Sequence, residues 1–186
     1  MERRVEASAA MHVSAGAAQV VLRSTPELVL GEPEPGPRRG RRTFNATLPA
    51  QLRPGTTVEQ AVLVSIMPLH TGADPEHASA PLTWEPTGLQ RLLPRFAGEL
   101  RVGPIGRRGS RLTVRGHYSA PLGRVGRFGD SVLGHRVARR SLELYVDRIA
   151  QRIDHEALRR HTTSTIKPAP YNEDLRPHSR SRSSRD

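Results

Sequence analysis

The sequence predicts an α+β fold in which an antiparallel β-sheet packs against one long C-terminal α-helix. Three observations in the 186 residues lead to this prediction. Several short segments alternate between apolar and polar residues, as half-buried strands do. Two of these segments, 99–102 and 111–118, flank a turn and predict a hairpin. From about Asp130 to Arg160, apolar residues instead recur at the spacing of an amphipathic helix.

The remaining strands are clearest in the middle of the chain. Residues 43–48 alternate in polarity and predict a half-buried strand. Residues 61–67 form the most apolar run, are rich in β-branched side chains and end before Pro68, so we predict a central strand there. Residues 80–85 predict a further strand, which carries the only tryptophan, Trp84.

The first part of the chain is less regular. We expect residues 1–10 to be a flexible lead-in. Short strands are predicted at 19–23 and 28–30, where β-branched and apolar residues cluster. Residues 31–40 contain too much proline and glycine for a regular element and predict a loop. A turn is predicted at 49–55.

One domain is predicted, at residues 11–161, followed by a disordered tail at 162–186 that is rich in arginine and serine. The absence of cysteine excludes disulfides and thiolate chemistry. No apolar run approaches the ~20 residues of a membrane-spanning helix. We therefore expect a cytoplasmic protein.

The predicted helix begins with Asp130 or Ser131 as its N-cap, after a glycine-containing loop at 119–129. Its apolar face is small in the first half and bulky in the second, and comprises Val137, Ala138, Ser141, Leu142, Leu144, Tyr145, Ile149 and Ile153. Arg148 and Arg152 project toward this face. Either they overhang the sheet and reach water, or they point into the mouth of a cavity and meet an acidic group.

The formal charge of +11 permits two interpretations. Almost all basic residues are arginine, with Lys167 the only lysine, which is typical of a GC-rich coding bias. Alternatively, the arginines bind a polyanion such as nucleic acid. The candidates for that role are Arg38, Arg39, Arg41 and Arg42, together with Arg180, Arg182 and Arg185 of the tail.

Searches for catalytic and metal-binding motifs yield no candidate site. His155-Glu156 begins a zinc-protease motif, but Arg159 stands where the second histidine is required. The chain contains no Gly-x-Ser-x-Gly elbow. A loop at 70–77 holds two histidines and two acidic residues, but lacks a third histidine nearby. We predict no catalytic residue, no metal and no cofactor.

Four segments together resemble a known superfamily, at residues 82–84, 93–96, 116–123 and 130–138. They are similar to uncharacterised actinobacterial members of the START-like (SRPBCC) superfamily, which has the helix-grip fold and includes polyketide cyclases. That superfamily places two short helices between its first and second strands. Here the proline-rich loop at 31–40 occupies this region, so we expect an open or truncated grip.

The resemblance implies a domain that binds a hydrophobic small molecule or lipid between sheet and helix, without a reaction or with cyclase-like activity. The lining would comprise Val62, Val64, Ile66, Trp84, Phe96, Leu112, Val114, Tyr118, Leu142, Tyr145 and Ile149, with Arg148 and Arg152 at the mouth. The same side chains would form a closed core if no pocket exists. The alternative function is a basic interaction protein that binds nucleic acid or acidic partners through its arginine clusters.

Overall fold

The computed structural model describes residues 2–35, 40–53, 56–87, 93–119 and 131–165. There the chain forms, in order, β1 (Glu2–Met11), α1 (Ala15–Ser24), α2 (Pro26–Leu30), β2 (Glu32–Pro33), β3 (Arg42–Arg53), β4 (Thr56–Ile66), β5 (His70–Thr71), β6 (Ala78–Pro86), β7 (Arg95–Ile105), β8 (Gly109–Ser119) and α3 (Ser131–Thr165). The predicted α+β fold, an antiparallel sheet with a long C-terminal helix, is confirmed.

The strands form one antiparallel sheet in the order β1-β8-β7-β6-β4-β3-β2, with β5 paired to β6. Helix α3 contacts β1, which is one edge of the sheet, and β3, which is next to the opposite edge. At roughly 4.8 Å per strand these two strands would be about 24 Å apart in a flat sheet, twice the diameter of a helix. The sheet therefore curves around α3.

The predicted hairpin is confirmed, with Leu100 opposite Val114 and Phe96 opposite Tyr118. The strands predicted in the middle of the chain also form, as β3, β4 and β6. Strand β3 continues through residues 49–53, so the prediction of a turn over that stretch is wrong.

Burial confirms the apolar face of α3, and its outward residues Arg136, Arg139 and Asp147 are exposed. The buried residues of the helix are Ala138, Ser141, Leu142, Tyr145, Val146, Ile149, Ala150, Ile153 and Ala157. Leu144 is half-buried, and the side chain of Val137 lies outside the described part. The helix thus contributes much of the hydrophobic core.

The aromatic part of the core depends on two glycines. Trp84 and Phe96 stack with ring centroids 4.0 Å apart, and Tyr145 meets Trp84 edge-on at 5.9 Å. Gly98 and Gly116 face each other across β7 and β8, and a β-carbon on either would lie 2.7 Å from Cζ of Phe96. These glycines make room for the Phe96 ring.

The prediction of a flexible lead-in at 1–10 is wrong for residues 2–10, because they belong to β1, which pairs along nearly all of β8. Val5, Ala7 and Met11 are buried, whereas Glu6 is exposed. This alternation is that of a strand with one face on the core.

The strand predicted at 19–23 is also wrong, because these residues belong to α1. The Ser14 side chain accepts a hydrogen bond from the Ala17 amide at 3.3 Å and so caps the helix N-terminus. Buried residues recur at helical spacing, at Ala15, Ala18, Gln19, Val21 and Leu22. Capping and packing outweigh the β-propensity of the two adjacent valines.

The strand predicted at 28–30 is helix α2, which begins at Pro26, a residue suited to the first turn of a helix. Two short helices therefore follow β1, and the expected open or truncated grip is wrong. The loop predicted at 31–40 contains the two-residue strand β2.

Some predictions fall outside the described residues. These are residues 120–129 of the predicted loop, the N-cap candidate Asp130, and the predicted tail from residue 166 onward. Helix α3 continues to Thr165, beyond the domain boundary predicted at 161. None of the helices in the described ranges is long and apolar enough to cross a membrane.

Candidate ligand-binding cavity beneath the C-terminal helix

A cavity of about 330 Å³ lies between the bulky half of α3, the end of α2, and strands β3 and β4. We refer to it as the helix cavity. It is lined by Val29, Leu30, Gly31, Asn45, Ala46, Thr47, Ala61, Val62, Thr87, Tyr145, Arg148, Ile149 and Arg152. Its volume is at the lower end of the range for ligand pockets, roughly 300–1,000 Å³.

Small residues create the space on the sheet side. Ala46 of β3 lies directly opposite Val62 of β4. Gly31 ends α2 with a φ of +139°, a conformation that favours glycine. A β-carbon on Gly31 would lie 3.1 Å from that of Ala46. Gly31 therefore lets α2 approach β3 closely enough to close this side of the cavity.

Arg148 is held at the cavity by three hydrogen bonds. Its guanidinium donates to both carboxylate oxygens of Glu59, at 2.7 and 3.2 Å, and to the Thr47 carbonyl at 3.1 Å. The hydrogen bond from Arg148 lowers the pKa of the Glu59 carboxyl below its ordinary value, and the same bond raises the pKa of Arg148. This two-point contact fixes the guanidinium in position.

Arg152 lies one turn further along α3 and donates to the Val29 carbonyl at 3.0 Å. Within the described part of the chain it forms no ion pair with a carboxylate. The two guanidiniums are thus balanced by the single carboxylate of Glu59. The cavity mouth carries a net positive charge.

Tyr145, one of the residues that line the helix cavity, has an unsatisfied hydroxyl among the described residues. The residue is 2% exposed, and its oxygen has no hydrogen-bonding partner among the described residues. Burial raises the pKa of this hydroxyl well above its ordinary value, against the smaller opposing influence of Arg152 and Arg148. Ser141, one turn earlier, also has a buried hydroxyl without a partner in the described ranges. The Tyr145 hydroxyl is therefore a donor that no described residue uses.

The structure divides the predicted lining into two groups. Val62, Tyr145, Arg148, Ile149 and Arg152 border the helix cavity. The others are buried in the core away from it, namely Val64, Ile66, Trp84, Phe96, Leu112, Val114, Tyr118 and Leu142.

The two interpretations of Arg148 and Arg152 each match one of the residues. Arg152 is exposed to solvent, whereas Arg148 meets the acidic residue Glu59 at a cavity. Sequence reasoning missed the α2 side of the cavity, because 28–30 was assigned to a strand. Pro26 at the first helical position was the signal that could have revealed it.

The arginines proposed to bind a polyanion are mostly outside the described residues, namely Arg38, Arg39, Arg180, Arg182 and Arg185. Arg41 is exposed, and Arg42 donates to the Arg23 carbonyl at 3.2 Å. Polyanion binding by this set stays a prediction. In the described ranges, no group of three or more acidic or histidine side chains is arranged to hold a metal ion.

Comparisons with known proteins identify the fold. The sequence matches no protein-family model and no curated protein. The structure is similar to the Zhui aromatase/cyclase from a Streptomyces species, with a TM-score of 0.52 and 17% identity over 87% of this chain and 96% of that one. It is also similar to a START superfamily protein from Mycobacterium smegmatis, with a TM-score of 0.51 and 10% identity over 84% and 97% of the two chains.

A protein from Thermus thermophilus gives a TM-score of 0.51 and 14% identity over 85% of this chain and 99% of that one. These similarities extend over nearly the whole of each known structure. The chain therefore has the helix-grip fold of START-like and aromatase/cyclase proteins. At these identities the similarity establishes the fold alone.

Proposed function

We propose that this protein binds a small, largely apolar molecule in the helix cavity, with a hydrogen-bond acceptor of the ligand placed against the Tyr145 hydroxyl. The observation that carries this proposal is that Tyr145 lines the cavity and that its buried hydroxyl has no partner among the described residues. Leaving a buried donor unsatisfied costs about 1–3 kcal/mol. A ligand that accepts this hydrogen bond recovers that cost.

The surroundings support a mostly apolar ligand with one polar end. Val29, Leu30, Val62 and Ile149 provide apolar walls. The guanidiniums of Arg148 and Arg152 lie at the same cavity and favour a ligand whose polar group is electron-rich. The described lining contains neither a carboxylate nor an imidazole, which favours binding without a reaction.

The helix-grip fold supports the same proposal. The resemblance to START-like proteins implies a hydrophobic ligand held between sheet and helix, and the helix cavity lies in that position. One of the structurally similar proteins is an aromatase/cyclase, so a protein with this fold can act on a small molecule.

The proposal is tested by isothermal titration of two probes of similar shape, methyl 2-naphthoate, which has a carbonyl acceptor, and 2-sec-butylnaphthalene, which has none. We expect methyl 2-naphthoate to bind about tenfold more tightly, since one recovered hydrogen bond contributes about 1.4 kcal/mol. Replacing Ala46 by leucine fills the cavity from the sheet side. This change is expected to weaken the binding of both probes at least about tenfold.

Ala9→Leu is the matched control, because Ala9 is also partly buried against the core but does not line the cavity. It should leave both affinities within about twofold of the original. If neither probe binds saturably, or if Ala46→Leu affects binding no more than Ala9→Leu, the helix cavity is not a ligand site.

A further inference from the structure

A second concave site lies on the opposite face of the sheet. Arg101 alternates along β7 with the buried residues Leu100 and Val102, so its side chain is on the face away from α3. There a cleft of about 620 Å³ opens between β5, the segment 71–77, and strands β6 to β8. We refer to it as the outer cleft. It is lined by His70, Gly72, His77, Ala78, Ser79, Arg101, Val102, Gly103, Pro104, Ile105, Arg111 and Thr113.

Strand register brings four polar side chains of the outer cleft into one row. His70 lies opposite Ser79, Ser79 opposite Arg101, and Arg101 opposite Thr113. Directly opposed residues in antiparallel strands have β-carbons about 5 Å apart and point to the same face. The row therefore presents a guanidinium, an imidazole and two hydroxyls across four strands.

A second guanidinium and a second imidazole, those of Arg111 and His77, lie beside this row. Gly103 lies directly opposite Arg111. The His77 ring rests on Gly103, because a β-carbon there would be 2.8 Å from Cδ2 and 3.0 Å from Nε2 of His77. Gly103 thus makes room for an imidazole next to Arg111. Arg101 is on the diagonal to Arg111, a spacing of about 7–8 Å.

The loop that carries His77 is held in place on two sides. Asp74 contacts Nδ1 of His77 at 2.6 Å and accepts from the Glu76 amide at 2.9 Å. From α1, the buried amide of Gln19 donates to the carbonyls of Pro75 and Glu76, at 3.1 and 3.2 Å. These contacts orient the ring so that Nε2 is directed away from Asp74.

The outer cleft carries an excess of positive charge. Glu99, beside it, accepts from Arg101 at 2.7 Å and from Arg115 at 3.4 Å. Arg111 has no ion pair or hydrogen bond to another side chain within the described ranges. Asp74 is engaged by His77. The Arg111 guanidinium therefore faces the cleft without a counter-charge from any described residue.

We propose that the outer cleft binds the phosphate group of a small organic molecule, with Arg101, Arg111 and His77 as its ligands. Guanidinium groups match phosphate oxygens in geometry and charge, and two of them on a diagonal suit a doubly charged anion better than a single carboxylate. The cleft exceeds the size of phosphate itself. Pro104 and Ile105 line the remaining space and provide a surface for an organic group.

The test uses the full chain, titrated with phenyl phosphate, inorganic phosphate and the uncharged benzyl alcohol, and followed by isothermal titration and by amide chemical shifts. We expect phenyl phosphate to bind more tightly than inorganic phosphate and benzyl alcohol not to bind. Shifts should concentrate at Gly103, Arg111 and Thr113. Arg111→Gln should weaken phenyl phosphate at least about tenfold, the usual effect of losing a charge-assisted hydrogen bond.

Arg4→Gln is the matched control, because it removes the same charge from an exposed position on β1 that does not line the cleft. It should change the affinity by no more than about twofold. Ala46→Leu should not affect the affinity for phenyl phosphate, and this result would distinguish the outer cleft from the helix cavity.

Two results would overturn the proposal. In the first, Arg4→Gln and Arg111→Gln weaken phenyl phosphate equally, or its amide shifts lie outside the cleft, so that the attraction comes from net charge alone. In the second, a short single-stranded RNA binds this face with a steep salt dependence while phenyl phosphate leaves the cleft amides unchanged. The surface would then be a nucleic-acid interface.

Discussion

Replacing Tyr145 by phenylalanine tests the central observation at the helix cavity. The change removes one oxygen atom and keeps the ring that meets Trp84 edge-on at 5.9 Å. Because the hydroxyl is buried without a partner among the described residues, its loss removes a desolvation cost of about 1–3 kcal/mol. We therefore expect the ligand-free variant to be more stable by about 1 kcal/mol, a melting temperature about 2–4 °C higher in a protein of this size.

Tyr118 provides a control with the same chemical change and the opposite expected sign. It is also buried, but its hydroxyl lies 3.1 Å from Nδ1 of His135. Tyr118→Phe loses that hydrogen bond, so the protein should lose about 0.5–1.5 kcal/mol. The two variants should therefore differ in melting temperature by about 4–8 °C.

The assay is thermal unfolding of both variants with and without methyl 2-naphthoate. Tyr145→Phe should raise the melting temperature of the free protein and reduce the increase that the ligand produces, since the variant cannot donate to it. If Tyr145→Phe lowers the melting temperature as Tyr118→Phe does, the Tyr145 hydroxyl is satisfied in the free protein, and the argument for a ligand acceptor is wrong.

Three further predictions concern stability. Ser14→Ala removes the α1 cap and should cost about 1 kcal/mol in chemical denaturation. Gly116→Ala places a β-carbon 2.7 Å from Phe96 and should cost about 1–3 kcal/mol, whereas Gly16→Ala, which meets nothing within 4 Å, should cost nothing. Because the folded-state pKa of Glu59 is lowered, its pairing with Arg148 should stabilise the protein above the ordinary carboxyl pKa and be lost as the pH falls through the lowered value. The coupling between these half-exposed side chains, measured by a double-mutant cycle with Glu59→Gln and Arg148→Met, should be at most about 1 kcal/mol at pH 7 and vanish in acid.

The helix and the hairpin could be predicted from the sequence because their periodicity is local and long. Helix α3 spans 35 residues, and its buried positions repeat over many turns. The hairpin of β7 and β8 has alternation on both strands and a short turn between them. In both cases the local pattern agrees with the tertiary packing.

The first 30 residues show why the rest was harder to predict. Helix α1 is only ten residues long, and Val20 and Val21 favour a strand, so the cap at Ser14 and contacts with the rest of the fold decide its structure. Strand β1 depends on its pairing with β8, more than a hundred residues away. Neither the contacts of α1 nor the pairing of β1 with β8 can be inferred from the local sequence pattern.

The helix cavity was predictable on its helical side and, within the predicted lining, at Val62 alone on the sheet side. Tyr145, Arg148 and Ile149 share one face of α3, which periodicity reveals. The facing wall depends on the register that sets Ala46 opposite Val62, and on α2. The local sequence patterns of β3 and β4 determine neither the register between these strands nor the packing of α2.

Several arginines of α3 have a structural role, which bears on how the net charge is interpreted. Arg160 donates to the hydroxyls of Ser24 and Thr25, at 2.8 and 2.7 Å, where α1 joins α2. Arg152 bonds the end of α2 at Val29, and Arg148 bonds β3 and Glu59. These three residues tie the helix to the junction of α1 and α2, to the end of α2 and to β3, through oxygen atoms that need a donor.

A guanidinium has five N–H donors and suits such contacts with several acceptors at once. A net charge of +11 therefore includes side chains that are already used in holding the fold together. Charge alone is weak evidence for a polyanionic partner in this protein. The stronger evidence is a guanidinium at a concave site without a counter-charge in the described ranges, which is the situation of Arg111 in the outer cleft.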